Sequence, residues 1–511
     1  MNYNRIILCF ETAPVLSSKE LLTSFVYRLQ QFLQESDLNS TPLLHLLYRE
    51  DIDMKDTVDL CTEMLQSIAP VSLAKYNGPV AKAVAGCFGE EEDVAVLIPG
   101  ILPFLDVEEC KKMMERHLKY ATHYSYSDVA VSGFLFDIVS SELFDESKTG
   151  SIVSQVLEQP TIESLRSFCF RNVQDIDLDL HYVEPDLRPF RLKFDTSDSR
   201  SSDRAVRMIA KYPNLNHADL SELVANEADV CGRQPSYVEI ELTTKQSGRP
   251  TVYPTRPDEK SLTEDDVSAI LTSLREFPLS DDVTVCLGGR GDPFQFENLD
   301  RLIADLSRID SVKAVYIETP ATSLSRGRIE SAVKAWSRPA NLITLIVRLP
   351  SLKLSRYKEW MGQDRLDDVL SFLDAAAVSP LAVNLCAEMI RLPENEDELD
   401  NFMKRFESSA VTPLIGKYSR FGEQLPDLKV IDLSPLQRDY CRHLAYDMFI
   451  NADGCVPVCR QQLQGGIAVG SQSLLSIFES RRNLHSLWMK GKYDQVLPIC
   501  ASCDDWHFYN A

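Results

Sequence analysis

From Tyr237 to Ile415 the chain repeats one unit, a short apolar run followed by an amphipathic stretch of helical period, and nothing else in the sequence limits the fold as strongly. The runs are Tyr237-Val-Glu-Ile-Glu-Leu242, Val283-Thr-Val-Cys-Leu287, Ala314-Val-Tyr-Ile317, Leu342-Ile-Thr-Leu-Ile-Val347, Leu381-Ala-Val-Asn-Leu385 and Val411-Thr-Pro-Leu-Ile415. Between them lie helical stripes such as Val267, Ile270, Leu271 and Leu274, then Leu299, Leu302, Ile303 and Leu306, then Leu366, Val369, Leu370 and Leu373. Thr263-Glu-Asp-Asp266 supplies the start signal of the first helix. Strands joined through helices run parallel with right-handed crossovers, so six units predict a curved parallel sheet, open or partly closed as a barrel. Ligands bind beyond the carboxyl ends of such strands, where loops 243–262 and 288–296 emerge.

The first 225 residues alternate strands and helices less regularly. Ile6-Ile-Leu-Cys-Phe10 and Val94-Ala-Val-Leu-Ile98 read as buried strands, and Ser18 to Leu33 and Val107 to His117 as helices, which implies a doubly wound α/β domain over 1–225. Pro99-Gly-Ile-Leu-Pro103 then falls where that domain would hold a ligand. A net charge of −23 with no basic stripe argues against a nucleic-acid partner. No stretch approaches the ~18–20 apolar residues of a membrane span. Met1 to Phe10 has too short an apolar run for a signal peptide, so a cytoplasmic, reducing location is expected.

That compartment matters for the tail, 431–511. Five of the 13 cysteines lie between 441 and 503, and Cys441, Cys459, Cys500 and Cys503 follow C-x17-C-x40-C-x2-C. A close thiol pair with two single thiols from further away suits four thiolates on one centre, and zinc and an iron–sulfur cluster both accept that set. Cys455 is the alternative to Cys459. His443, His485 and His507 flank the thiols and are expected at the surface or behind the ligands. The remaining cysteines, Cys231 and Cys286 among them, are read as small buried residues.

Two resemblances rest on these residues. The stretch Val96-Leu-Ile-Pro-Gly-Ile-Leu-Pro-Phe-Leu-Asp106, with His123 to Gly133 and Asp186 to Thr196, resembles sugar-nucleotide cytidylyltransferases. That family's metal-binding Asp falls on Ile101, and its nucleotide loop is replaced by Glu11-Thr-Ala-Pro-Val-Leu-Ser17, so a degenerate nucleotidyltransferase-like domain is implied. From Tyr237 onward the chain resembles radical S-adenosylmethionine proteins with a SPASM tail, the architecture of the spiro-SPASM group. Gly289-Arg-Gly-Asp-Pro293 is similar to the family's G-x-G-E-P, and the tail from Cys441 through Asp453-Gly454, Cys459, Pro498, Cys500, Cys503 and Trp506 follows the one-cluster SPASM pattern. The resemblance implies a (βα)6 partial TIM barrel over 230–430, one [4Fe–4S] cluster on Cys441, Cys459, Cys500 and Cys503, and an S-adenosylmethionine amino group near Gly288, Gly289, Gly291 and Asp292.

One departure decides the chemistry. The family's radical cluster needs CxxxCxxC after the first barrel strand, and those positions hold Gln246, Pro250 and Tyr253, none of which replaces a soft thiolate. The expectation is an iron–sulfur protein without radical chemistry that binds or assembles an unidentified protein or peptide partner, or carries electrons. The alternatives are an S-adenosylmethionine-binding enzyme of peptide or cofactor modification, acting through Asp292, and a residual sugar-nucleotide transferase with Asp106 and Asp195 as its only carboxylates. No catalytic residue is assigned.

Overall fold

The computed structural model describes residues 2–507 except 17, 37–41, 90–92, 322–325, 379–382, 432–433, 437, 439 and 463. Contacts divide the chain into two units, Met1–Val224 and Ala225–Ala511, so barrel and tail residues fall in the same one. Each unit is α/β and built on its own parallel-rich sheet. No helix among the described residues is long and apolar enough to cross a membrane.

The first unit holds β1 (Asn2–Phe10), β2 (Leu43–Arg49), β3 (Val71–Tyr76), β4 (Asp93–Pro99), β5 (Tyr124–Tyr126), β6 (Asp137–Ser140) and β7 (Leu178–Leu180), in the order β3-β2-β1-β4-β6-β5-β7. The first four are mutually parallel, and β6 runs antiparallel to both of its neighbours. Ile6 to Phe10 and Val94 to Ile98 are all buried, which is why β1 and β4 read as unbroken apolar runs instead of alternating ones. The order reverses between β1 and β4, and Pro99-Gly-Ile-Leu-Pro103 leaves the sheet there. Ile101, Leu102, Phe104 and Leu105 bury themselves, with Phe104 packed on Phe134 and Phe194. Asp106 caps the helix Val107–Tyr120 through the Glu109 N–H and also accepts from the His217 N–H. Asp195 accepts from the Ser132 and Ser197 hydroxyls and the Ser197 N–H. Both carboxylates are therefore engaged in holding loops.

The second unit holds β8 (Tyr237–Ile240), β9 (Val283–Leu287), β10 (Val312–Thr319), β11 (Ile343–Arg348), β12 (Asn384–Ile390), β13 (Val411–Gly416) and β14 (Asp447–Ile450). Their order is β13-β12-β11-β10-β9-β8-β14, and every pairing is parallel. The six-strand expectation is corrected by β14, a seventh strand from the tail that lies along β8 with Phe449 opposite Glu239. Four residues carry too little pattern to announce a strand, and the edge of β8 gives them a partner. The fifth run also shifts: β12 starts at Asn384 and passes through Glu388, while Leu381 and Ala382 lie outside the described residues.

Local signals explain the helices. Thr263 and Asp266 cap the helix Glu264–Arg275 reciprocally, side chain to backbone in both directions. Its face Ile270, Leu271 and Leu274 enters a core that includes Val238, Val285, Val315, Leu345 and Ala387 from the strands. Leu474, Ile477 and Phe478 from the tail join the same core. The tail is latched at polar points too. The Ala452 N–H donates to Glu241 at 3.0 Å, Arg256 pairs with Asp453, and Gly454 lies so close to Asp266 that a Cβ would meet Oδ1 at 2.6 Å.

Candidate functional site

The four tail thiols come from four separate pieces of chain. Cys441 precedes the turn Arg442–Ala445, Cys459 follows the short strand Cys455–Val456, Cys500 sits in the turn Pro498–Ala501, and Cys503 follows it. Cys441 and Cys500 pack with Leu444, Trp488, Val496 and Trp506 in a small apolar cluster. None of the cysteines is in a disulfide. Burial pushes the Cys441 thiol well up and those of Cys500 and Cys503 up to about 12, and each of the three also feels Cys459. Cys455 is elsewhere: its charged neighbours are Asp453 and Asp266, and its thiol faces the Asp453 carbonyl. Among the described residues no three His, Cys, Asp or Glu side chains are placed to hold a single metal ion.

Polar groups around the thiols have donors to spare. Arg481 is 4% exposed and lies within electrostatic reach of Cys459, Asp447 and Cys441. One of its nitrogens donates to the His443 carbonyl at 2.6 Å, whereas Nε and Nη1 are buried without acceptors. Trp488 Nε1 and His485 Nε2 are buried and partnerless as well. A buried guanidinium short of acceptors is costly unless an anion completes it. Arg438 donates to the carbonyls of Cys500, Ala501 and Cys503 and lies over the rings of Trp488 and Tyr493 at 5.0 and 4.8 Å, which fixes the CxxC loop. Of the two expected places for the histidines, His443 and His485 take the buried one, at 4% and 3% exposed. Burial works against charge on His443, but hydrogen bonds to Asp447 and Asp505 prevail and raise it to about 10.

At the barrel, Gln246, Pro250 and Tyr253 lie along a loop tied to the helix Leu354–Met361 by the Thr251 N–H on the Trp360 carbonyl at 2.8 Å. The loop after β9 is equally closed in. Gly291 packs so tightly that a Cβ would stand 2.0 Å from the Thr243 carbonyl oxygen, and Gly289, at φ +88°, lies against Glu241. Gly288 leaves room for Cys286 and Glu318. Arg290 binds Glu241 through its own N–H at 2.9 Å, its Nε at 2.6 Å and Nη2, with both side chains almost fully buried. Asp292 is fully buried, accepts from the Phe294 N–H and the Thr319 hydroxyl at 3.2 and 2.9 Å, and donates its N–H to the Lys245 carbonyl.

Charged residues that the sequence reading did not single out gather at the carboxyl end of the same sheet. Glu239 on β8, Glu318 on β10, Arg348 on β11 and Glu388 on β12 face one another, joined by Arg460 from the tail. Arg348 donates to Glu318 at 2.6 Å and to the Gly289 carbonyl at 3.1 Å, and Arg460 lies 3.6 Å from Glu239. Burial, aided by the Glu318 charge, raises Glu239 and Glu388 to about 7. A partial signal was present: Arg348 and Glu388 are each the one charge in an otherwise apolar strand, as in Leu385-Cys-Ala-Glu388.

No family model matches the chain. Over 366 residues, 67% of this chain and 99% of the relative, it is 25% identical to an uncharacterized protein of Treponema pallidum (strain Nichols). Over 181 residues it is 29% identical to the GTP 3′,8-cyclase of Stenotrophomonas maltophilia (strain K279a), a match that covers 34% of this chain and about half, 52%, of that relative. Among solved structures it is similar to Streptococcus suis SuiB bound to S-adenosylmethionine, with 14% identity, 65% of this chain and 81% of that one covered, and a TM-score of 0.34. At that level of similarity the fold stands on the chain's own strand order.

Proposed function

We propose that this chain is an iron–sulfur protein built on a barrel of radical S-adenosylmethionine descent, in which Cys441, Cys459, Cys500 and Cys503 carry one [4Fe–4S] cluster and the barrel's own radical cluster is not formed. The observation behind the reading is Arg481, a buried cation with two unused donors beside Cys441 and Cys459. Four thiolates on an iron–sulfur core are anionic, and sulfur accepts such N–H groups.

Such a cluster supplies one-electron transfer when bound, and its thiolate bonds supply folding energy to a short segment. The residues around it favour the structural role. Arg438 holds the CxxC loop by its carbonyls, Trp488 and Trp506 exclude water, and β14 ties the segment between Cys441 and Cys459 to the first barrel strand. Gathering the thiols therefore stiffens one edge of the barrel, suiting a binding or assembly protein that presents a fixed surface to a protein or peptide partner. S-adenosylmethionine is not needed in this reading, since Asp292 is fully buried and bonded within the protein.

Anaerobic reconstitution with iron and sulfide tests the assignment. About four irons and four sulfides per chain are expected, lost in Cys500→Ala/Cys503→Ala and kept in Cys455→Ala. About eight of each would mean that the barrel holds a second cluster. Zinc without sulfide would overturn the cluster.

A further inference from the structure

The geometry points to the barrel mouth as a binding site for a small organic cation, a primary amine or guanidinium carried on an apolar or aromatic body, with Glu388 as its anionic partner. The inference does not rest on the tail cluster.

The cavity measures about 360 Å³ and opens between the carboxyl ends of β10 to β13 and the loop after β8. That volume is in the range of small-molecule sites, and its place is where parallel sheets bind ligands. Its walls include Tyr253, Glu318, Arg348, Glu388, Tyr418 and Arg460.

Accounting for its polar groups shows what is missing. Arg348 is served by Glu318 and the Gly289 carbonyl, Arg460 stands beside Glu239 and over the Phe421 ring at 5.1 Å, and Lys417 donates to the carbonyls of Asp504 and His507. Each cation at the mouth thus has an acceptor or a counter-charge, although Arg460 Nε itself makes no hydrogen bond. Asp505 is taken up by His443 and Gln461. The Glu388 carboxylate accepts no hydrogen bond from any described residue, and Arg348 and Arg460 reach it only through their charge. Tyr253 is 8% exposed and its hydroxyl is buried without a partner. Glu239 Oε1, behind the cavity, is also unpartnered and 3% exposed at the residue level.

The position of Glu388 is built for. On the neighbouring strand Gly416 leaves the space in which the carboxylate lies, and a Cβ there would come within 2.6 Å of Oε1. Any other residue at 416 would displace it. A half-buried carboxylate with no donor from the protein, in the space a glycine leaves and near a buried hydroxyl without a partner, is an open acceptor that a cation with N–H donors completes. Tyr418, Phe421, Ile390 and Ile415 supply apolar wall for the rest of the molecule.

Isothermal titration of the full chain with benzylamine tests this, with benzyl alcohol and benzoate as neutral and anionic counterparts and Nα-acetyl-lysine methylamide to represent a peptide side chain. Benzylamine should bind saturably at one site, at least tenfold more weakly in Glu388→Gln, and more weakly in Tyr253→Phe. Tighter binding of benzylamine than of the lysine derivative would assign the site to free amines, and the reverse order to a lysine side chain. Three results would overturn the inference: no saturable binding of either amine, benzoate binding as well as benzylamine, or a folded Glu388→Gln that binds benzylamine like the parent.

Discussion

Glu241 is the residue on which the second unit should depend most, and the cost of removing it follows from its contacts. It is fully buried, pairs with the buried Arg290 guanidinium, and accepts the N–H groups of Arg290 and Ala452. Glu241→Ala takes the carboxylate away from one buried charge and two buried backbone donors. Removing one partner of a buried ion pair costs about 3–5 kcal/mol, and each stranded donor adds about 1–3 kcal/mol where water cannot reach it. Taking about 4 kcal/mol as a conservative total, and about 2–4 °C per kcal/mol for a unit of this size, the melting temperature should fall by roughly 10 °C. Tryptophan fluorescence reads the right transition, because Trp336, Trp360, Trp488 and Trp506 all lie in the second unit and the chain has only these four. The double variant Glu241→Leu/Arg290→Met also removes the charge that has lost its carboxylate and should recover at least half of the loss, short of full recovery because the two N–H groups remain. A Glu241→Ala protein that melts within about 2 °C of the parent would refute the reasoning. So would a double variant less stable than the single one.

Two further outcomes follow from the barrel. Glu388 is raised to about 7, so its contribution is fully present below the ordinary carboxylate range and is lost as pH rises through about 7. The parent's second unit should therefore lose stability between pH 5 and pH 8, and Glu388→Gln, neutral throughout, should flatten part of that fall and melt higher than the parent at pH 8; Glu239, also raised to about 7, keeps the rest of the slope. An unchanged pH profile of the fluorescence melt would count against a buried, ionising Glu388. Gly291→Ala should cost about 1–3 kcal/mol with no ligand present, because its Cβ would stand 2.0 Å from the Thr243 carbonyl oxygen and the loop must back away; a thermal melt equal to the parent's would mean that the glycine is there for something other than packing.

What the sequence alone determined is local in origin. The strand and helix periods of 237–415 depend on residues two to four apart, so the parallel α/β sheet and the helix capped by Thr263 and Asp266 were readable directly. The spacing of Cys441, Cys459, Cys500 and Cys503 likewise singled them out before any fold was known. Tertiary structure decided everything that rests on partners distant in the chain. Asp447–Ile450 becomes a strand only because β8 has a free edge more than 200 positions earlier. Asp292, readable as a ligand-binding carboxylate, is consumed by Thr319 and the Phe294 N–H, and Asp106 by His217. Glu239, Glu318, Arg348, Glu388 and Arg460 come from five separate elements and carry no spacing, so their meeting at the barrel mouth exists only after the sheet has curled. Periodicity reports which face of an element is buried, whereas the energy of a buried charge depends on which other charges the fold brings to it, and that is settled by the topology.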